Sequence, residues 1–447
     1  MCAPWSGCIC ILLKTDFGTK MIQMRIGQEA VMMQGGWIHV CYAVHDGGGF
    51  SKYVGTSMAS LLENTKSPVA LHLLHDATLS EESRAKFKAL AARYGMRARI
   101  SFYPLETLAS EQLAFLTREI AGMKTSRFSP AALYRLLAAN VLPREIERII
   151  YLDADTIVHL DIAALWAEQT GANGIAAATE LTVTRDLPAP QYLRDSGIVP
   201  AGKYFNSGVL LIDLAAYRKV AHEVLAGGVK LLQECPACFC YDQDILNFFF
   251  AEGSAPLPLR CNDFVVSARR IGEAEIKPHI YHYAGKALDV MATDDAYNRL
   301  FLHYFARTPW CDEGFLLRLM ESLRAAHEAR KGTRARLFDR AAGRVRQLYG
   351  SAEMEAAVRG LFHLRAGEAY HVVVDKEGNL SVGVLLAEMK RQAGALHIFF
   401  VDGYDDLCPY LARAGFDKER DIMDGRSFLP AEVGGWQLSG ADFFDAL

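Results

Sequence analysis

Ile149-Ile150-Tyr151-Leu152-Asp153-Ala154-Asp155 joins an unbroken apolar run to two carboxylates one residue apart. A run so rich in large and β-branched apolar residues reads as a strand of a parallel or mixed sheet covered on both faces. Side chains alternate along extended backbone, so Asp153 and Asp155 are expected to point to one side. Open α/β sheets take their ligands beyond the carboxyl ends of their strands, which is where this pair falls. Two like charges at a buried edge call for a cation, and a hard divalent ion suits oxygen ligands. Such a metal suggests a phosphate-bearing partner. The triplet does not decide the matter alone, because Asp242-Gln243-Asp244 repeats the pattern in the same chain.

Upstream, residues 37–43 read as a strand that runs into Val44-His45-Asp46-Gly47-Gly48-Gly49, a turn whose glycines let backbone approach a ligand closely. Residues 53–64 keep helical apolar spacing, residues 69–75 are a second strand, Ser80 caps a helix that extends to Tyr94, and residues 99–103 are a third strand. Residues 130–142 read as a helix with Ser129 as cap and Pro130 in its first position. Downstream come a strand at 175–178, a polar loop at 182–200 suited to acceptor recognition, and a strand ending at Asp213. A short helix at 242–250 and the segment 279–286 close the region. This alternation predicts an α/β fold with a mixed, mostly parallel central sheet.

A chain of 447 residues has room for a large domain and an appendage. With 51% hydrophobic and 22% charged residues it belongs with folded rather than disordered proteins. A net charge of -4 argues against nucleic acid as a partner, since that needs a basic face. No apolar run approaches the roughly 20 residues that cross a bilayer. Residues 1–36 read as a poorly ordered extension, with internal Met21, Met24, Met32 and Met33 and without the basic start of a secretory signal. Ten cysteines without a disulfide rhythm point to a reducing, cytoplasmic setting. Cys235, Cys238 and Cys240 lack a second pair at zinc-ligand spacing and read as small buried thiols in a turn before a helix.

Composition changes near Glu313. Residues 313–350 read as a basic helical connector carrying Arg318, Arg324, Arg330, Lys331, Arg334, Arg336, Arg340, Arg344 and Arg346, with Leu337, Ala341, Val345 and Leu348 as an apolar stripe. Two readings stand for it: a surface for peripheral contact with anionic lipid at the inner face of a membrane, or a solvated connector packed on one side. Residues 351–447 read as a small α/β domain, loosely like the second half of a Rossmann module, without a G-x-G-x-x-G motif.

Four motifs follow a matching first strand in order: Asp153-Ala154-Asp155, Phe205-Asn206-Ser207-Gly208, Tyr241-Asp242-Gln243-Asp244-Ile245-Leu246-Asn247 and His282-Tyr283-Ala284-Gly285-Lys286. Together they resemble glycosyltransferase family 8, the retaining enzymes of the GT-A fold that use nucleotide sugars, over residues 37–312. The resemblance implies that Asp153, Asp155 and His282 hold Mn²⁺ or Mg²⁺, with donor oxygens completing the shell. It implies that Ala43 and Val44 meet a uracil ring through their backbone, with Asp46 taking the place of an acidic residue that the family has just beyond. It places Ala154 and Arg135 against the donor, Arg135 through forked hydrogen bonds. Asn206 and Ser207 would read sugar hydroxyls, with Gly208 allowing close approach. Asp242 would fix the hexose, Gln243 would lie near the anomeric carbon, and Asp244 is the acidic neighbour for a covalent route. Gly285 would offer backbone to a phosphate and Lys286 would reach the diphosphate. Here the chain departs from the family's H-x-x-G-x-x-K-P-W, since Lys286 follows Gly285 directly and Ala287-Leu288 replaces Pro-Trp.

The expected function is therefore metal-dependent transfer of glucose or galactose from a UDP-sugar to a glycan or glycolipid acceptor in lipopolysaccharide, capsule or envelope synthesis. The alternative is a non-catalytic sugar-nucleotide-binding protein whose C-terminal module recruits partners. Nucleotidyl transfer would want a G-x-x-x-x-G-K-[ST] loop, which the chain lacks. The oligomeric state is left open.

Overall fold

The computed structural model describes residues 36–119, 131–179, 198, 203–235, 238, 240–284, 287–288, 294–325, 340, 342–374, 380, 382–392, 394–401 and 404–428. Residues 1–35, most of the 182–200 loop, Ser129, Pro130, Gly285, Lys286 and residues 326–339 lie outside these residues. The chain divides into two compact units with the boundary between Asp312 and Glu313.

The first unit opens with β1 (Ile38–Val44), α1 (Ser51–Asn64), β2 (Val69–His75), α2 (Glu81–Ala92) and β3 (Ala98–Pro104). Ser80 caps α2 as expected, its hydroxyl accepting from the Ser83 amide at 3.0 Å. After a broken helical run come β4 (Arg148–Leu152), β5 (Thr156–Val158), β6 (Ile175–Thr179) and β7 (Phe205–Asp213). Then follow α3 (Leu214–Glu234), α4 (Tyr241–Phe250), β8 (Ala255–Pro256), β9 (Asp263–Phe264), β10 (Ile280–His282) and α5 (Ala296–Phe305).

Seven strands form the central sheet in the order β3-β2-β1-β4-β7-β6-β8. All run parallel except β7, which is antiparallel to β4 and β6. The apolar run that ends in the carboxylates is central, and its side chains alternate between two core layers. Ile149 and Tyr151 pack with Leu137, Phe205 and Ile245, while Ile150 and Leu152 pack with Val54, Met58 and Val158.

The chain moves outward from β1 to β3 and then returns to the other side of β1 with β4. That reversal makes the carboxyl edge between β1 and β4 a topological switch point, where such sheets open a crevice. Pairing between the two strands is confined to Val40 with Ile150 and Cys41 with Tyr151, which leaves Ala43 and Val44 beyond it. A second, three-stranded sheet has the order β5-β10-β9 and begins just past the turn that follows β4.

The helix expected over 130–142 is interrupted. Ala131–Tyr134 and Ala138–Val141 are helical, and a 3-10 turn, Arg135–Leu137, separates them. The tightening coincides with Arg135, whose Nε turns back to the Ala132 carbonyl at 3.0 Å.

In the second unit, residues 313–325 are helical. Beyond them lie β11 (Arg346–Ser351), α6 (Glu355–Phe362), β12 (Ala369–Val374), α7 (Val382–Arg391), β13 (Leu396–Phe400), α8 (Tyr404–Arg413) and β14 (Ile422–Asp424). They make an all-parallel sheet in the order β12-β11-β13-β14.

The helical reading of 313–350 fails at its end, because 346–350 is a central strand. Leu348 and Tyr349 are both buried, in cores on opposite faces of this sheet. Several of the basic residues serve the unit's own frame. Arg346 pairs with Glu368 at 2.6 Å, Arg344 donates to the Ala395 carbonyl at 2.7 Å, and Arg340 donates to the Ile422 carbonyl at 2.8 Å. Among the described residues no helix is long and apolar enough to cross a membrane.

Candidate active site

β4 ends at Leu152, so Asp153 and Asp155 belong to a turn rather than to the strand, and strand alternation is not what aligns them. The turn is closed by three hydrogen bonds. The Asp153 amide donates to the Gly208 carbonyl at 2.8 Å and the Thr156 hydroxyl to the Asp153 carbonyl at 2.8 Å. The Tyr283 amide donates to the Asp155 carbonyl at 2.8 Å. Antiparallel pairing of β5 with β10 sets His282 opposite Thr156. Register thus delivers the imidazole to the carboxylates: one ligand atom each of Asp153, Asp155 and His282 lies within 4.8 Å of the others.

His282 Nε2 stands 3.2 Å from Asp155 Oδ1 and 3.8 Å from Asp153 Oδ2. Its Nδ1 is 3.1 Å from Oδ1 of Asn262, whose amide nitrogen donates to Asn206 Oδ1 at 2.8 Å. Asn262 therefore accepts the proton on Nδ1, which turns the Nε2 lone pair toward the two carboxylates. An outer partner of this kind is what a metal-ligating histidine requires. Two partly exposed carboxylates and a buried imidazole fit a divalent cation of hard to borderline character.

Burial pushes the His282 imidazole down, but the Asp155 carboxylate outweighs it and raises the group above its ordinary value. Asp155 is held low in return, burial opposing and His282 prevailing. The two carboxylates demand positive charge on this side, and an imidazolium or a divalent ion supplies it.

Arg135 supplies it on the other side. The side chain is 6% exposed and forks onto Asp153, with Nη2 to Oδ1 at 2.7 Å and Nη1 to Oδ2 at 3.4 Å. Nη1 also donates to the Ser207 carbonyl at 2.6 Å, Nε lies 3.0 Å from Asp242 Oδ2, and the guanidinium sits 4.6 Å over the Tyr151 ring. Burial pushes Arg135 down, while Asp153 and Asp242 more than restore it, so the group stays charged. Each of its nitrogens has a protein partner. Arg135, expected to contact the donor, is a buried strut that joins the Asp153 turn to α4.

On α4, Asp242 and Gln243 face the β7 turn. Asp242 Oδ2 accepts from the Ser207 hydroxyl at 3.1 Å, and burial raises its carboxyl to about 6 against the pull of Arg135. Gln243 Oε1 accepts from Asn206 Nδ2 at 2.8 Å and from the Ser207 amide at 3.0 Å. Residues two apart on a helix diverge by about 200°, so Asp244 faces elsewhere. It accepts from the Tyr204 hydroxyl at 2.7 Å and from the Cys240 amide at 2.8 Å, which ties down the start of α4.

Asp46 begins a 3-10 turn just past Ala43 and Val44, and its amide donates to the Thr78 hydroxyl at 2.8 Å. Its neighbour His45 is hydrogen-bonded through Nδ1 to Asp76, which also accepts from the Tyr134 hydroxyl at 2.8 Å. Asp76 and Asn262 are the residues that reading the sequence missed. Asp76 follows β2 at the same sheet edge as Asp153, a signal that was available. Asn262 carries no local signal, because its role appears only once β9 pairs with β10.

This fold and site define a class, the GT-A nucleotide-diphospho-sugar transferases. The solved structure of galactosyltransferase LgtC with donor and acceptor sugar analogs superposes with a TM-score of 0.50 at 22% identity, covering 62% of this chain and 99% of that one. The chain belongs to glycosyl transferase family 8, whose family model matches residues 8–287, and it is a glycosyltransferase. It is 24% identical to general stress protein A of Bacillus subtilis, over 58% of this chain and 91% of that protein. It is 27% identical to lipopolysaccharide glucosyltransferase WaaO of Escherichia coli, over 58% of this chain and 68% of that protein. With human xylosyl- and glucuronyltransferase LARGE2 it shares 28% identity over 45% of this chain, and spans 27% of that longer protein.

Proposed function

We propose that the protein is a metal-dependent, retaining hexosyltransferase that moves glucose or galactose from a UDP-sugar to a glycan or glycolipid acceptor of lipopolysaccharide, capsule or envelope, on the cytoplasmic side. The observation that carries this reading is the Arg135 bridge. It joins Asp153 of the metal-ligand set to Asp242 of the sugar-facing helix, so both sets of groups share one crevice at the switch point. The likeness to a lipopolysaccharide glucosyltransferase and a lipopolysaccharide 1,3-galactosyltransferase of Salmonella typhimurium supports the choice of hexose and acceptor.

Asp153, Asp155 and His282 would hold Mn²⁺ or Mg²⁺, which stabilises the charge that builds on a departing nucleoside diphosphate. Ala43 and Val44 offer backbone to the base where β1 outruns its pairing with β4. Asn206, Ser207 and Asp242 line the wall that reads sugar hydroxyls. The Gln243 carbonyl oxygen already accepts two hydrogen bonds, which makes a poor nucleophile poorer still. Asp244 is committed to the start of α4. Both facts favour front-face displacement: the acceptor oxygen attacks the anomeric carbon as the bond to phosphate breaks, and the acceptor proton passes to the leaving phosphate oxygen. Catalysis is assigned to residues 37–312, with the unit that begins at Glu313, and whose sheet begins at Arg346, as an appended domain.

Hydrolysis of UDP-glucose or UDP-galactose tests the reading. It should require Mn²⁺ or Mg²⁺ and disappear in Asp155→Ala. Failure to bind or turn over any member of a UDP-sugar panel overturns it.

A further inference from the structure

The stretch between α3 and α4 carries chemistry that the site described above leaves unused: Cys235-Pro236-Ala237-Cys238-Phe239-Cys240. Cys235 ends α3, its amide donating to the Leu231 carbonyl at 2.8 Å. Cys240 is the N-cap of α4, and its carbonyl accepts from the Asp244 amide at 3.0 Å. Two helix ends thus hold this short stretch from both sides.

Within it, the Cys238 amide donates to the Cys235 carbonyl at 3.0 Å. A turn closed in this way keeps its end Cα atoms within about 7 Å, and disulfides span about 4.4–6.8 Å between Cα atoms. The side chains meet as well, since the thiols of Cys235 and Cys238 are hydrogen-bonded to each other. Both are unoxidised. A Cys-x-x-Cys turn with its sulfurs in contact has the spacing that redox dithiols use.

The two thiols differ in access. Cys238 is buried and Cys235 is partly exposed, so a reagent from solvent meets Cys235 first. Burial, the Cys235 thiol and Asp244 push the Cys238 thiol up, which suits it to wait as the protonated, resolving partner. Cys240 has other company: burial, Asp244 and Cys240 together push up the Tyr204 hydroxyl. Among the described residues the three thiols make no group at metal-ligand spacing.

We infer that Cys235 and Cys238 are a reversible dithiol–disulfide pair, oxidised by small-molecule disulfides, whose closure is felt at the first turn of α4. The Cys235 thiolate attacks one sulfur of the reagent; a mixed disulfide forms and one reagent thiolate leaves. Cys238 then gives its proton to solvent and attacks Cys235 Sγ, which expels the second reagent thiolate. Two protein thiols are oxidised and one reagent disulfide is reduced to two thiols. Neither the donor nor a metal takes part. Closure draws the sulfurs from hydrogen-bond contact to a bond of about 2.05 Å and so pulls on the turn. Cys240 lies two residues further on, and its amide donates to Asp244, the carboxylate that ties down the start of α4.

The test equilibrates the full chain, folded by its melting curve, in buffers of oxidised and reduced glutathione, followed by alkylation and peptide mass mapping. The wild type should lose the Cys235 and Cys238 thiols together to one disulfide, and reduced glutathione should restore both. Cys238→Ser should stop with glutathione on Cys235, while Cys235→Ser should keep the buried Cys238 thiol unmodified. Hydrogen exchange of the α4 amides should change when the wild type is oxidised and stay as it was in Cys238→Ser. A pair that remains reduced in oxidised glutathione, or a disulfide that maps to Cys240 instead, overturns the inference. A disulfide between Cys235 and Cys238 that leaves α4 exchange unchanged overturns its transmission to α4.

Discussion

Gly208 and His282 meet so closely that a Cβ on Gly208 would lie 2.3 Å from Cε1 of the imidazole, and 2.8 Å from Asp153 Oδ2. The glycine was expected to make room for a sugar. The room it makes is for two of the candidate metal ligands, His282 and Asp153. Gly208→Ala must therefore push His282 and Asp153 apart while the β7 backbone stays paired. Mn²⁺ affinity should fall by about tenfold or more and donor hydrolysis with it, as for loss of a well-placed ligand. Titration of Mn²⁺ beside a melting curve checks this; wild-type metal affinity in a folded Gly208→Ala chain would contradict it.

Asn262 is fully buried and holds both His282 and Asn206. Removing it frees the imidazole to turn and takes the partner of its buried Nδ1, while Asn206 Oδ1 keeps the Gly208 amide at 2.9 Å. Asn262→Ala is expected to reduce metal affinity by about 10–100-fold, the usual effect of losing an outer partner. Because Asn206 bonds Gln243, donor KM should rise as well. A chain that loses donor affinity at saturating Mn²⁺ but binds the metal normally would show that Asn262 acts on the sugar wall alone.

Arg135 makes a third case. Its replacement by Met keeps the volume and strands Asp153 and Asp242 without their shared cation. Breaking a buried pair from one side costs about 3–5 kcal/mol, and urea denaturation without added metal should show a loss of that size. Arg135→Lys keeps the charge but cannot fork, so its stability should fall between the two. Equal stability of the Met variant and wild type would mean that solvent reaches the carboxylates when the strut is gone.

The fold and the site were legible to different degrees. The unbroken apolar run Ile149–Leu152 marked the central strand, and the order of four short motifs marked Asp153, Asp155 and His282 together. Partners chosen by tertiary pairing left no local trace, and Asn262 became visible only through the β9–β10 register. Arg344 and Arg346 misled for a physical reason. Arginines that serve carbonyls and a buried Glu368 at a sheet edge look, in sequence, like those on a solvated helix. With Leu348 read at helical spacing, the strand at 346–351 was hidden.

The second unit carries its own pH signature. His397 on β13 is buried, with Nδ1 2.8 Å from the Tyr349 hydroxyl. Burial lowers the imidazole from 6.5 to about 4, with Asp421 opposing and Arg344 and His371 adding to the shift. The folded unit thus keeps His397 neutral, while the unfolded chain binds a proton there from about pH 6.5 downward. Its contribution is whole above that value and is lost as pH falls toward 4, about 3 kcal/mol in all. His72, in the first unit, is lowered to about 3 and tilts global stability the same way. The measurement must therefore be local: hydrogen exchange of the β11 and β13 amides between pH 6.5 and 4. Opening free energy should fall with pH in the wild-type chain and flatten in His397→Phe. An unchanged slope in that variant would assign the acid sensitivity to other groups.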